Sequence, residues 1–180
     1  MRILTVRQPW AWAIIHGGKD IENRTRNIAG GYRGPVAIHV GLAYAHGWQS
    51  DALAREMNRS GAAHEDPQPW HANAGHIIGV VDLVDVHHES AGSCGDSAGM
   101  CSDWGEPGAH HLVLANPRAI VGDPIPWLGG LGLRRSRLDV YGDSIIERAE
   151  GCTCGAGRIS YQHEPMCGFE LVSHLTAVAR

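Results

Sequence analysis

The side chains with the most reactive chemistry near the N-terminus lie in the stretch HGGKDIENRTR, from His16 to Arg26. Lys19 in this stretch is the only lysine of a 180-residue chain that carries fourteen arginines. Arginine stays charged at any accessible pH, whereas a desolvated lysine can lose its proton and act as a nucleophile or proton carrier. The lone lysine therefore indicates a position that needs a titratable amine. An incidental surface lysine is the alternative.

Charged side chains follow Lys19 at strand spacing. Because side chains alternate along a strand, Glu22 and Arg24 would share one face about 7 Å apart, and Arg26 would continue it. Glu22 can accept hydrogen bonds from a nucleobase edge, Arg24 can hold a phosphate, and Lys19 can polarise or attack a carbonyl group. A solvated salt bridge along the strand is the alternative.

Two tryptophans precede this strand in a short predicted helix, Trp10 to His16. Trp10 and Trp12 are separated by about 200° of helical rotation, so they face opposite ways. One indole can pack into the core while the other borders the charged site and stacks on a base. We assign Trp10 to the site. Core packing of both rings is the alternative.

Cysteine and histidine residues in the C-terminal segment have the spacing C-x-C-x8-H-x3-C. The four residues are Cys152, Cys154, His163 and Cys167. Four such ligands can close a tetrahedral structural zinc site, which would supply folding free energy to a segment of low apolar content. Free thiols, or an arrangement that includes Cys94 or Cys101, are the alternatives.

Four histidines form two adjacent pairs, His87-His88 and His110-His111, at the ends of predicted neighbouring strands. Such pairs are most often solvated strand ends, and this is our prediction for them. A second metal site that combines them with Cys94 or Cys101 is the alternative.

Hydrophobic patterning predicts strands and helices in no regular βαβ order. The predicted strands cover residues 1–7, 20–26, 34–41, 76–87 and 110–118, with GGLGLRR (129–135) as the last strand. A second helix is predicted over residues 43–59, and 88–108 is predicted to be a loop or insertion. Mixed elements of this kind predict an α+β domain built round a small, partly open β-barrel with flanking helices. We place this domain at residues 1–137 and a Cys/His-bearing appendage at 138–180.

Charge and hydropathy exclude some classes of protein. A formal net charge of −4 does not fit a protein that coats nucleic acid by bulk electrostatics, so any nucleic-acid contact must be local. No stretch approaches the roughly 18 apolar residues of a membrane span, and the N-terminus lacks the apolar core of a signal peptide. We therefore expect a cytoplasmic protein, without membrane contact, whose five cysteines are reduced or bind metal.

Several segments together resemble the ASCH domain, a branch of the PUA-like superfamily. They are LTVRQPWAWAIIHGGKDIENRT, GPVAIHVG, HIIGVVDLVDVH, HLVLANPR and PIPWLGGLGL, and they span roughly residues 1–135. The most specific element is the G-x-K-x-x-E-x-R arrangement of Gly17, Lys19, Glu22 and Arg24. The resemblance implies a PUA-like β-barrel whose cleft binds RNA or a modified nucleoside.

The same resemblance raises a catalytic alternative. One branch of the family removes the acetyl group of N4-acetylcytidine with a lysine that matches Lys19, a threonine and a distant glutamate. This chain has Glu22 in place of the threonine, and Asp82 is the nearest candidate for the glutamate. If the chain is an amidohydrolase, Lys19 and Glu22 would be its catalytic residues. Ribonuclease activity lacks support because the histidines do not have a recognisable catalytic spacing. A protein-interaction adaptor is a third hypothesis.

Overall fold

The computed structural model describes residues 1–45, 50–65, 68–90, 93–94, 97–148 and 169–178. Within these ranges the strands are β1 (Arg2–Val6), β2 (Ile21–Arg24), β3 (Gly34–Val40), β4 (His76–Ser90), β5 (Ser93–Cys94), β6 (Ser97–Ala98), β7 (His110–Val121), β8 (Ile125–Pro126), β9 (Leu133–Arg135), β10 (Leu138–Tyr141), β11 (Ser144–Arg148) and β12 (Phe169–Ala177). The helices are α1 (Trp10–Ile15), α2 (Asp51–Ser60) and two 3-10 turns, Ala62–His64 and Pro69–His71. No helix among them has the length and apolar content to cross a membrane.

One mixed sheet carries most of the structure. Its main path runs β10-β11-β12-β7-β4-β3-β1-β9, and β2 adds to β7. Only β1 and β3 pair in parallel among the strands of this path, while β4 and β7 form the long antiparallel centre. The path is open from β10 to β9 within the described ranges, and it does not close into the predicted barrel. The fold class is therefore α+β with mostly strands.

The short helix α1 lies between the sheet and α2. Ala11, Ile14 and Ile15 of this helix pack with apolar side chains of the central strands. Trp12 packs on the other side, with Leu53 of α2 among its partners. Because apolar partners surround this helix on two sides, its position is fixed by packing rather than by helix propensity, which is small for six residues.

The predicted strands are confirmed for the most periodic segments, which form β1, β3, β4 and β7. The predicted start of the second helix is wrong, because residues 43–45 are not helical and α2 begins at Asp51. The Ser50 hydroxyl accepts a hydrogen bond from the Leu53 amide at 3.3 Å and so caps the helix. The predicted last strand, β9, is followed by three more.

Residues of the predicted appendage continue the sheet. Strands β10, β11 and β12 pair with one another, and β12 pairs with β7. Leu138, Ile145 and Leu175 from these strands share an apolar cluster with Ile3 and Ile77. The chain beyond residue 137 thus contributes core side chains as well as strand pairing.

Replacing Ile145 with alanine tests this contribution. Ile145 is fully buried, so we expect the Ile145→Ala variant to lose about 3 kcal/mol of unfolding free energy, measured by urea denaturation. Leu171→Ala in β12 is the control, because that side chain is 55% exposed and should cost less than about 1 kcal/mol. Equal small losses in both variants would contradict the shared core.

Candidate functional site

Two glycines place Lys19 after α1. A Cβ atom on Gly17 would lie 2.8 Å from the Ala13 Cα atom and 2.9 Å from the Trp12 ring, so only glycine fits the close approach. Gly18 has a left-handed φ of +68°, which glycine adopts without strain. The chain thereby turns back on the helix, and the Lys19 amide donates to the Ala13 carbonyl at 2.9 Å.

The Lys19 side chain is buried, with only 4% of its surface exposed. Its Nζ atom donates to the Ile21 carbonyl and lies 4.0 Å from a carboxylate oxygen of Glu22. The same atom is 5.4 Å from the ring centroid of Trp10 and 5.5 Å from that of Trp104. Both distances are within the range of cation–π attraction. The lone lysine is therefore not an incidental surface residue.

Burial also changes the acid–base chemistry of Lys19. Desolvation lowers the pKa of its amine below 10.5, although the carboxylates of Glu22, Glu106 and Asp20 act in the opposite direction. The Arg24 guanidinium contributes to the lowering. A lysine whose protonated form is disfavoured releases its proton more readily, as a nucleophilic or proton-carrying amine must.

Glu22 and Arg24 form a salt bridge, which is the alternative that their spacing left open beside the predicted binding roles. The guanidinium of Arg24 lies 2.9 Å from Glu22 and donates to the Thr5 carbonyl at 3.1 Å, which ties β2 to β1. Because Glu22 is itself buried, this pairing compensates its charge and orients its second oxygen towards Lys19. Arg26 is exposed beyond the end of the strand.

A pocket of about 310 Å³ opens beside Lys19. Its lining includes Trp10, Lys19, Glu22, Asn23, Trp104 and Glu106. Three side chains assigned to the site from sequence, Trp10, Lys19 and Glu22, therefore meet in one cavity. The lining does not include Arg24 or Arg26. Asp82 is also outside the lining and pairs with Arg118 at 2.8 Å.

Residues 101–106, here called the pocket loop, form one wall of the cavity. This wall is not predicted from the sequence. Asn23 holds this loop to β2 by donating to the Trp104 carbonyl at 2.8 Å and accepting from the Glu106 amide at 3.1 Å. The Ser102 hydroxyl also donates to Asp20. The sequence signal for this wall is the presence of Trp104 and Glu106 among small residues. Their spacing does not indicate which strand the loop contacts.

A second group of polar side chains includes Cys101, the first residue of the pocket loop. His87, Cys94, Cys101 and His111 bring their potential ligand atoms within 4.8 Å of one another, close enough to hold a metal ion. Burial and the neighbouring Cys94 thiol raise the pKa of the Cys101 thiol to about 11, so this thiol is protonated at neutral pH when no cation is bound.

The prediction that the histidine pairs are solvated strand ends is wrong for His111, which is fully buried. The pocket loop covers this strand end, and the imidazole of His111 contacts the Glu106 carbonyl at 3.0 Å. His88 is exposed, as predicted. Its ring contacts the ring of His110 edge-on, with the two ring centroids 4.6 Å apart. The alternative of a metal site with Cys94 or Cys101 therefore has the geometry it requires.

The zinc ligands predicted in the C-terminal segment, Cys152, Cys154, His163 and Cys167, lie outside the described residues. Their assignment stays a prediction from spacing.

The sequence matches no protein-family model and no curated protein sequence. The resemblance to the ASCH domain therefore stays a prediction, carried by the motifs quoted above.

Replacing Lys19 with methionine tests the lowered pKa. Between that pKa and 10.5 the unfolded chain holds a proton that the folded chain has released, so unfolding free energy rises with pH there. The rise amounts to at most about 1.4 kcal/mol per pH unit. The Lys19→Met variant lacks this contribution, and Glu22 keeps its partner Arg24. Urea denaturation from neutral to alkaline pH should show the wild type gaining stability relative to the variant, whereas a constant difference would contradict the lowered pKa.

Proposed function

We propose that the chain binds RNA or a modified nucleoside in the pocket beside Lys19. The observation that carries this proposal is a buried, charge-paired lysine between two indole rings in a cavity of about 310 Å³. Ligand pockets of this size class accept small organic molecules and combine apolar walls with a few oriented polar groups. A single nucleoside fits this description.

The pocket side chains match the chemistry of a nucleobase. Trp10 and Trp104 offer faces for stacking, which is how proteins most often hold an unpaired base. Glu22 can accept a hydrogen bond from an exocyclic amine, and Lys19 can donate to a ring carbonyl. These contacts are local, in keeping with a chain whose net charge is −4. Phosphate contact through Arg24 requires it to exchange its present partners.

The proposal also covers the protein family, the cellular location and the zinc site of the C-terminal segment. The G-x-K-x-x-E-x-R motif and the order of the following strands support an ASCH-like, PUA-like domain, although the sheet is open in the described ranges. Cys94 and Cys101 are not joined by a disulfide bond, which fits the reducing cytoplasm. The zinc site of the C-terminal segment also remains part of the proposal, because its four ligands suit a closed tetrahedral site.

Removing one stacking face tests the binding proposal. Trp104→Ala should weaken binding of cytidine, N4-acetylcytidine or a short single-stranded RNA by about 5- to 150-fold, since stacking on an aromatic side chain contributes about 1–3 kcal/mol per base. Isothermal titration calorimetry measures the affinity. Tyr141→Ala is a matched aromatic control, because this exposed residue lies on β10 outside the pocket.

Equal affinity in the wild type and the Trp104→Ala variant would place the ligand elsewhere. A folded wild-type protein that binds none of the three ligands would overturn the proposal and favour the protein-interaction adaptor.

Glu106 is the specific observation that favours amide hydrolysis as a second candidate. Besides Glu22, the pocket lining includes the Glu106 carboxylate, which is near enough to act electrostatically on the buried lysine, although it comes from the pocket loop and not from Asp82. In N4-acetylcytidine hydrolysis, the neutral Lys19 amine or a water molecule beside it would attack the acetyl carbonyl carbon. The amide C–N bond breaks, and the proton that the attacking amine or water releases passes through Glu22 or Glu106 to the leaving N4 amine. Attack by water gives acetate directly. Attack by Lys19 gives an acetyl-lysine, which a water molecule must then hydrolyse to acetate and the free amine.

Incubation with N4-acetylcytidine tests this candidate by chromatographic detection of cytidine. If hydrolysis occurs, Lys19→Met should abolish it, and Glu106→Gln, which preserves size and hydrogen bonding, should slow it about 100-fold or more. Tyr141→Ala should retain full turnover. Absence of turnover by a folded protein that still binds the nucleoside would assign the pocket to binding alone.

A further inference from the structure

The His/Cys group beside the pocket loop is assembled from four separate segments. His87 on β4 and His111 on β7 are direct cross-strand partners in the central antiparallel pair. Cys94 comes from the short strand β5, and Cys101 begins the pocket loop. The convergence depends on strand register, because a shift of either strand by one residue would turn its histidine to the opposite face of the sheet and separate the two imidazoles.

Three separations between these ligand atoms are close to those of a tetrahedral metal site, and all four atoms lie within 4.8 Å of one another. Zinc bonds of about 2.3 Å to sulfur and 2.0–2.1 Å to nitrogen place two tetrahedral ligands roughly 3.5 Å apart. The Nδ1 atom of His111 lies 3.5 Å from Cys94 Sγ and 3.2 Å from Cys101 Sγ. The Nε2 atom of His87 lies 3.4 Å from Cys101 Sγ. One ion at the centre can therefore reach all four ligands.

The second ring nitrogen of each histidine already has a partner. His87 Nδ1 lies 2.9 Å from Asp85 Oδ2, and His111 Nε2 lies 3.0 Å from the Glu106 carbonyl oxygen. A carboxylate and a backbone carbonyl are the usual outer partners of metal-bound imidazoles, because each accepts the N–H and leaves the opposite nitrogen free as ligand. In both histidines the nitrogen left free is the one that faces the cysteines.

We propose that His87, Cys94, Cys101 and His111 bind one structural zinc ion that fixes the pocket loop beside Lys19. Two thiolates and two imidazoles in tetrahedral array select zinc over magnesium or calcium. Four protein ligands complete the coordination, so the ion is structural. Each of the two thiols gives up its proton when the ion binds, and no oxidation is involved.

The proposed zinc acts on the loop from both ends. Cys101 anchors the first residue, and the Glu106 carbonyl is held by the second nitrogen of the ligand His111. Between them, Gly105 lies so close to His111 that a Cβ atom there would be 3.0 Å from the imidazole ring. The ion thus holds in place the segment that presents Trp104 and Glu106 to the pocket.

Zinc content of the purified full-length protein tests the site. The Cys94→Ser/Cys101→Ser variant should contain one equivalent of zinc less than the wild type, measured by plasma mass spectrometry. The Cys152→Ser/Cys154→Ser variant is the matched control. Its zinc content shows whether the C-terminal cysteines bind a separate ion, and it does not bear on the site at Cys94 and Cys101. His88→Gln, at the exposed neighbour of a ligand, should retain all the zinc. Equal zinc in the wild type and the Cys94→Ser/Cys101→Ser variant would overturn the site.

Two measurements on folded protein that keeps Cys94 and Cys101 test the site even if the Cys94→Ser/Cys101→Ser variant does not fold. Cobalt substituted into the Cys152→Ser/Cys154→Ser protein should give tetrahedral absorption with thiolate charge-transfer bands, and their absence would overturn the site. Hydrogen exchange of residues 101–106 should accelerate about tenfold or more when the zinc is removed by a chelator. Unchanged exchange would overturn the role of the ion in fixing the loop. Neither readout depends on nucleoside binding, so both remain valid if the proposed function fails.

Discussion

Burial of a single ammonium group is the constraint on which the candidate site depends. A buried charge costs several kcal/mol unless it is paired and hydrogen-bonded. Here the compensation comes from the Ile21 carbonyl, the Glu22 carboxylate and two indole rings around Lys19. Glu22 in turn is balanced by Arg24, which is anchored on β1. The turn after α1, the strand β2 and the pocket loop must all be in place before this arrangement is stable.

Three neighbouring strands connect the pocket to the His/Cys group. In the pairing of β2 with β7, Glu22 lies opposite Leu112 and Asn23 lies opposite His111. In the pairing of β7 with β4, His111 lies opposite His87. The residue that holds the pocket loop to β2 is therefore the cross-strand neighbour of a proposed zinc ligand. A change of register in either pairing would disturb both sites together.

Local sequence patterns were enough to predict the strands that carry the site. Apolar runs and alternation identify β1, β3, β4 and β7. The two-residue spacing of Glu22 and Arg24 places them on one strand face, and there they form the salt bridge that the sequence left open as an alternative to ligand contacts. The prediction of a barrel failed because closure depends on pairing between distant edges, which no local pattern encodes. The predicted second helix began too early because helical composition extends upstream of the Ser50 cap.

Long-range contacts explain the parts of the site that the sequence did not reveal. Trp104 and Glu106 enter the pocket through hydrogen bonds to Asn23, more than 80 positions earlier in the chain. The burial of His111 follows from the same docking of the pocket loop. Helical rotation predicts that Trp10 and Trp12 face opposite ways, and the ring assigned to the site, Trp10, lines the pocket while Trp12 packs in the core.

The protonation and ligand contact of Lys19 can be observed directly. Protein labelled with carbon-13 at the lysine ε position gives a single side-chain NMR signal, because Lys19 is the only lysine. We expect this signal to titrate with a pKa below 10.5 and to shift when cytidine or N4-acetylcytidine is added. Titration at 10.5, with no response to either nucleoside or to a short RNA, would contradict this expectation.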